Sequence, residues 1–326
     1  MKYRKMGKTG LKLSEVALGS WLTLGGSVER EKSKKCIQTA IENGVNYIDT
    51  ADVYSGGEAE KLIGEFLAEE TVDRKNLVIA SKVYWPMGEG PNNRGLSRKH
   101  IMESIQGTLE RLNTDYIDIY FCHRFDVNTP IKEIIGAMDD IVKSGRSNYW
   151  GTSVWTAAKL ERAVAVAKSM NAHPPRVEQP QYNMLSRYIE TEVLETVNHL
   201  GMGVVTFSPL AQGILTGKYN DGVPEGSRGG RTDWLKWDLN EPNLEKVRNL
   251  IPIAKELDIS MANLSLAWIL RCKEITSVIT GASKPEHVLD NVKTTEIELS
   301  QDIIERIEKI LGNKPELPGM YQPPDI

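Results

Sequence analysis

Asp49, Tyr54, Lys82 and His123 supply a carboxylate, a phenol, an ammonium and an imidazole, and each stands where a short apolar, strand-like run gives out. Asp49 falls at the end of VNYIDT, Tyr54 follows five residues later, Lys82 ends LVIASK, and His123 ends YIDIYFCH. These are the groups needed to hand a proton to a carbonyl oxygen while hydride arrives at its carbon. Singly, each has a plain structural reading: Asp49 as a helix cap, Tyr54 as a half-buried loop aromatic, Lys82 as a solvated cation, His123 as a core histidine. Jointly they propose one site, because catalytic side chains of a parallel α/β barrel come from the carboxyl ends of several different strands. A free phenol has a pKa of about 10, so Lys82 is expected to lower that of Tyr54 and Asp49 to hold Lys82 in place. His123 is expected to hydrogen-bond the substrate oxygen as negative charge develops there.

Positioning such a tetrad requires a regular scaffold. Strand-like runs recur at residues 16–20, 45–50, 77–82, 116–122, 148–153, 176–180, 203–208 and 277–281, mostly separated by helical periodicity. Ile101, Ile105, Leu109 and Leu112 make one apolar stripe, and Leu185, Ile189, Val193 and Val197 another. Most repeats are roughly 27 to 39 residues, the size of a strand–helix–strand unit, and eight of them suggest a closed barrel. Ahead of the first barrel strand, YRKMGKTGLKLS reads as a hairpin plugging the barrel floor. Between the seventh and eighth strands lies a long insertion, whose GVPEGSRGGRTDW stretch is expected to be a mobile loop folding over a cofactor. The tail adds a helix opened by Ser300, lined by Ile303, Ile304, Ile307 and Leu311, and closed by Gly312. No linker divides the chain, so residues 1–326 are expected to form a single barrel domain.

Composition narrows the function classes. With 40% hydrophobic and 26% charged residues, the 326-residue chain has the make-up of a soluble globular protein. It has no run near the ~18 apolar residues of a membrane helix. The start lacks the apolar segment of a signal peptide, so a cytoplasmic location without membrane insertion is expected. Net charge is −4, with Lys and Arg scattered among Asp and Glu, which argues against a nucleic-acid partner. Cys36, Cys122 and Cys272 are odd in number and far apart, fitting reduced thiols better than disulfides or a metal site.

Nucleotide-binding glycine motifs are absent in their usual form. GMGVVT at 201–206 lacks the third glycine and precedes a strand, and MGKTG near the start lacks the upstream glycine of a P-loop. FSPLAQG (207–213) and GASKPEHVLDN (281–291) follow strands directly, where backbone amides and helix N-termini can receive phosphate oxygens. From the residues alone, they read equally as ordinary strand–helix connections.

The runs YIDTADVYSGGEAE, IASKVYW, GLSRKHI, YWGTSVW, FSPLAQGILTGKY, AWILR, GASKPEHVLDN and LGNKP closely resemble the aldo-keto reductases, particularly the branch that includes potassium-channel β subunits. The resemblance spans essentially the whole chain in the family's order. It implies a (β/α)8 barrel with an N-terminal hairpin and accessory helices, binding NADPH in an extended form and reducing a small-molecule carbonyl substrate. Asp49, Tyr54, Lys82 and His123 match the reductase tetrad, with Tyr54 as proton donor. Ser153 and Gln179 match positions that hold the nicotinamide carboxamide, and Phe207 an aromatic that stacks on its ring. The segment Ser208, Pro209, Leu210, Ala211, Gln212, Gly213, with Lys218 and Arg228, matches the pyrophosphate wrap. Gly281, Ser283, Lys284, His287, Asp290 and Asn291 match the adenosine and 2′-phosphate site, while Ser20 and Trp21 join the cofactor set near its substrate end. Three departures stand out. Channel β subunits carry Asn at the position of His123, so the histidine favours a working reductase. Val154 replaces a common Asn or Arg, and His287 an amide or basic residue. The alternative implied is an NADPH-sensing accessory subunit of a channel, and a homo-oligomer, tetramer or higher, fits that branch. Tyr84, Trp85, Phe125 and Trp155, just beyond strand ends, could line an apolar substrate pocket or simply pack.

Overall fold

Residues 1–225, 227–231, 235 and 238–316 are described by the computed structural model of the protein. Each of the eight strand-like runs forms a strand: β3 (Val16–Gly19), β4 (Tyr47–Asp49), β5 (Val78–Val83), β6 (Ile117–Cys122), β7 (Ser147–Ser153), β8 (Val177–Gln179), β9 (Gly203–Thr206) and β10 (Ile275–Gly281). All pair in parallel, in the closed order β10-β3-β4-β5-β6-β7-β8-β9. Most of their residues are buried, as expected of parallel strands covered on both faces. One set, including Ala17, Tyr47, Ala80, Ile119, Phe121, Val177 and Val205, fills the barrel interior. The alternate set, including Leu18, Ile48, Ile79 and Val204, joins the larger core shared with the surrounding helices.

The N-terminal hairpin pairs β1 (Tyr3–Lys5) with β2 (Lys12–Ser14) in antiparallel fashion. Met6 and Leu13, both fully buried, pack into the interior cluster and close the end opposite the strands' carboxyl termini. The turn sits so tightly on β9 that a Cβ at Gly7 would lie 2.4 Å from Gly201 O, and the φ of Gly7 is +55°. Glycine is therefore required there.

The helices follow the apolar stripes with one exception. In α3 (Arg98–Leu112), Ile101, Ile105, Leu109 and Leu112 are buried, and Ser97 caps the helix by accepting from His100 N. The stripe beginning at Leu185 does not make one helix, because α6 runs only Val193–Leu200 and Ile189 lies in a separate 3-10 turn, Tyr188–Glu190. Asn183 Oδ1 accepts from both Leu185 N and Ser186 N at 2.9 Å, holding the backbone in a turn that competes with the helix. The tail helix α11 (Gln301–Leu311) is capped by Ser300 and ends at Gly312, with Ile303, Ile307 and Leu311 buried and Ile304 partly so.

Completing the ring are α1 (Arg30–Glu42), α2 (Glu58–Leu67), α4 (Ile131–Lys143), α5 (Ala157–Ser169) and α10 (Pro285–Lys293). The long insertion after β9 supplies α7 (Arg228–Arg231), α8 (Glu241–Glu256) and α9 (Met261–Leu270). Within GVPEGSRGGRTDW, Gly226, Thr232, Asp233, Trp234 and the side chains of Arg228 and Arg231 lie outside the described residues, and with them the expected lid contact. No helix among the described residues is long and apolar enough to cross a membrane.

Candidate active site

The carboxyl ends of β4, β5 and β6 bring the tetrad together. Lys82, fully buried on β5, directs Nζ to Asp49 Oδ2 at 2.6 Å, Thr50 O at 2.7 Å and the Tyr54 hydroxyl at 3.2 Å. His123 follows β6, its ring edge-on to that of Tyr54 with centroids 5.7 Å apart. Tyr54 opens a 3-10 segment, Tyr54–Gly57, that leads into α2. That helix is anchored by Glu60, whose buried carboxylate accepts from Ser81 Oγ on β5 and from Arg111 Nε of α3 at 2.7 Å. The position of the phenol is thus fixed by ion pairing behind it as well as by Lys82 in front.

Charge in this site is set by burial. Burial raises the Tyr54 phenol above its ordinary value, and Lys82 only partly offsets this. The sequence-based expectation of a lowered phenol pKa is therefore corrected: the phenolate loses more solvation than one cation, itself paired with Asp49, returns. Tyr54 keeps its proton at neutral pH. Lys82 is pushed down by burial, but Asp49 and Tyr54 more than compensate, so its ammonium is raised above the usual range. Burial, reinforced by Lys82 and Arg124, holds His123 well below its ordinary value. Its imidazole is neutral.

Ser153 and Gln179 lie beside the tetrad, paired in register across β7 and β8. Gln179 Nε2 donates to Asp49 Oδ1 at 2.8 Å, and Ser153 Oγ donates to Gln179 O at 2.9 Å. Ser20, past β3, donates its backbone N–H to Asp49 O at 2.9 Å, with the partly buried Trp21 next to it. Phe207, after β9, is partly buried and bonds through its N–H to Pro180 O. Ser208, Ala211, Gln212 and Gly213 all have positive φ, at 50°, 46°, 56° and 103°. Left-handed residues packed so closely, in a turn that also holds Pro209 and Leu210, form a backbone concavity of the kind that receives anions.

Two further segments converge on that concavity. Lys218 packs against Gly213, and both Lys218 and Lys284 act electrostatically on His287, whose ring is depressed by burial first and then by these cations. Ser283 Oγ lies 3.4 Å from His287 Nδ1, and Lys284 precedes α10 on an exposed surface after Gly281. Asp290 and Asn291 are placed differently. Asp290 accepts from Ser260 Oγ at 2.8 Å and Asn291 is buried, so both lie where α10 packs on α9.

Val154 follows Ser153 with φ +58°, an outlying conformation for a β-branched residue. Its N–H donates to Gln179 O at 3.3 Å, and the next residue is held by Glu178, a fully buried carboxyl that accepts from Trp155 N–H at 3.1 Å and that burial pushes up to about 7. Asn tolerates this conformation better. Val154→Asn is expected to stabilise the fold by about 1 kcal/mol, read as an upward shift of the denaturation midpoint.

Of the four aromatics proposed for a pocket, Trp155 is core, 1% exposed and packed edge-on against Phe125 with centroids 4.8 Å apart. Trp85 instead faces the site, its ring centroid 6.2 Å from that of His123 and 5.1 Å from that of Tyr84, which packs edge-on to it. Arg124 was not anticipated from sequence, although it directly follows His123. Its guanidinium carbon lies 5.7 Å from the Trp85 ring centroid, and Nη1 donates to His123 O at 2.6 Å.

A model of the aldo/keto reductase family matches residues 15–312. The chain belongs to the aldo/keto reductase family. Two relatives are similar over 99% of this chain and 100% of their own length: a probable voltage-gated potassium channel subunit beta from Arabidopsis thaliana, 39% identical, and one of the same description from Oryza sativa subsp. japonica, 38% identical. As an aldo/keto reductase, the protein is an oxidoreductase of the class that uses nicotinamide cofactors. The polar atoms of this member fit such a group. Ser20 Oγ and Gln212 Oε1 are buried without a hydrogen-bond partner among the described residues, and the concavity of 208–213 lies beside Lys218.

Proposed function

We propose that this aldo/keto reductase reduces aldehydes or ketones to alcohols with NADPH, Tyr54 being the proton donor. The reading is carried by one observation: a protonated phenol lies 3.2 Å from a buried, charged Lys82 and edge-on to a neutral imidazole. NADPH, when bound, supplies the hydride to the carbonyl carbon. Tyr54 then gives its hydroxyl proton to the oxygen, and Lys82 stabilises the phenolate left behind until solvent returns the proton. Neutral His123 donates a hydrogen bond to the same oxygen as charge develops, without competing as an acid. Ser153 and Gln179 orient the carboxamide, Phe207 stacks on the ring, and the 208–213 turn receives the pyrophosphate. Oxidation of NADPH, followed at 340 nm against a panel of aldehydes, tests the reading. Absence of turnover with every aldehyde, despite cofactor binding, would overturn it.

That outcome would support a second reading, favoured by the names of the two relatives: an accessory subunit that binds the cofactor and turns over little. His123 supports the enzyme, because it completes the four-residue set with an imidazole where channel β subunits carry Asn.

Cofactor choice follows from charge. Lys284 and Lys218 are exposed beside His287, where a 2′-phosphate would meet two ammonium groups. Lys284→Ala is expected to weaken NADPH about tenfold and NADH hardly at all, since a charge-assisted hydrogen bond to phosphate is worth roughly 1.5–3 kcal/mol. Parallel fluorescence titrations measure both. Equal weakening would remove Lys284 from the phosphate site.

A further inference from the structure

Arg124 lies at the rim of the tetrad with most of its donors unengaged. Nη1 bonds to His123 O at 2.6 Å and reaches Ser153 Oγ at a long 3.5 Å. No other hydrogen bond and no carboxylate within ion-pair distance accompanies the guanidinium among the described residues, whereas Arg4, Arg74, Arg111, Arg187 and Arg271, each at least partly buried, are ion-paired. The buried acid that acts electrostatically on it, Glu178, already accepts from Thr152 Oγ1 and from the N–H of Trp155. Burial correspondingly depresses the guanidinium below its usual range. A cation that is partly desolvated and unpaired costs stability unless something else meets it.

What it faces is the reacting centre. Arg124 acts electrostatically on Tyr54 and on His123, and it packs over the Trp85 ring whose edge meets His123. Its free Nε and Nη2 donors form the fork that matches a carboxylate in bidentate fashion. Lys82, the other cation on the tetrad, is bound to Asp49, which leaves one positive charge to be matched. That favours a monoanion over a phosphate dianion.

We propose that Arg124 is a specificity-determining residue that selects carbonyl substrates bearing a carboxylate near the reacting carbonyl. This rests on the reductase reading and names its substrate class. The reaction is unchanged by it: the carboxylate binds and neither gains nor loses electrons or protons.

The test compares 3- and 4-carboxybenzaldehyde with the matching formylbenzamides, which keep the shape and lose the charge. The parent enzyme is expected to favour at least one acid over its amide by tenfold or more in kcat/KM, mainly through KM. In Arg124→Gln that ratio should collapse to within about threefold, and Arg124→Lys, which restores charge without the fork, should recover part of it. A parent ratio near one for both isomers, or a ratio unchanged in Arg124→Gln, would overturn the proposal. So would a larger, Arg124-dependent preference for 4-formylphenyl phosphate, which would assign the site to phosphate. If no aldehyde is reduced, the reductase reading fails separately, and calorimetric titration of the NADP-loaded protein with 3- and 4-(hydroxymethyl)benzoate against the corresponding amides decides this one. Tighter, Arg124-dependent binding of either acid supports it, and equal or absent binding overturns it.

Discussion

Tyr54→Phe is expected to leave NADPH bound and to cut carbonyl reduction by about 10² to 10⁴, the usual contribution of general acid catalysis. The substitution removes one hydroxyl, whose place is beside Lys82 Nζ at 3.2 Å, and leaves the ring against His123. The relevant measurement is single-turnover hydride transfer, so that cofactor release does not mask the loss. Turnover within twofold of the parent would remove Tyr54 as proton donor. A pH profile of the parent adds a second check. The donor must be protonated, and burial raises its pKa. Reduction should hold steady through neutral pH and fall only at or above the ordinary phenol range, about 10. A fall near pH 6 to 7 would point to a different acid.

Lys82→Met should fail in two ways at once. Without the ammonium, nothing stabilises the phenolate left after proton transfer, so reduction should fall to a level comparable with Tyr54→Phe. The fold should weaken as well, because Asp49, 3% exposed, keeps its hydrogen bonds from Gln179 and Tyr47 but loses its countercharge. Removing one partner of a buried pair typically costs 3–5 kcal/mol. Chemical denaturation of the variant measures that term. The double variant with Asp49→Asn separates it, since stability should partly return while activity should not. Recovery of both together would show that Lys82 serves only the fold.

The barrel was legible because its signal is local. Eight apolar runs at strand–helix–strand spacing leave few arrangements, and each run closed into the parallel sheet. The tetrad was legible for the same reason, since residues at strand ends share a face whatever the helices do. What failed depends on contacts between distant parts. The turn at Leu185 comes from the side chain of Asn183 rather than from apolar periodicity. The raised phenol of Tyr54 follows from burial, which spacing does not encode. Other contacts were simply not encoded locally: Asp290 packs against Ser260, joining α10 to α9 across 30 positions, and Lys218 meets Lys284 from a separate loop. Arg124 was passed over because an arginine beside a histidine is unremarkable until its neighbours are known to carry no countercharge.

Lys82 also sets a primary amine next to a site proposed to take aldehydes, and a neutral amine there would attack the carbonyl carbon and condense to an imine. The ion pair with Asp49 keeps the nitrogen protonated, so its lone pair is unavailable for that attack. The neighbouring thiol of Cys122 is fully buried and its pKa is raised, so it too remains un-ionised. The same contacts that equip Tyr54 to give up a proton therefore keep Lys82 from condensing with an aldehyde held beside it.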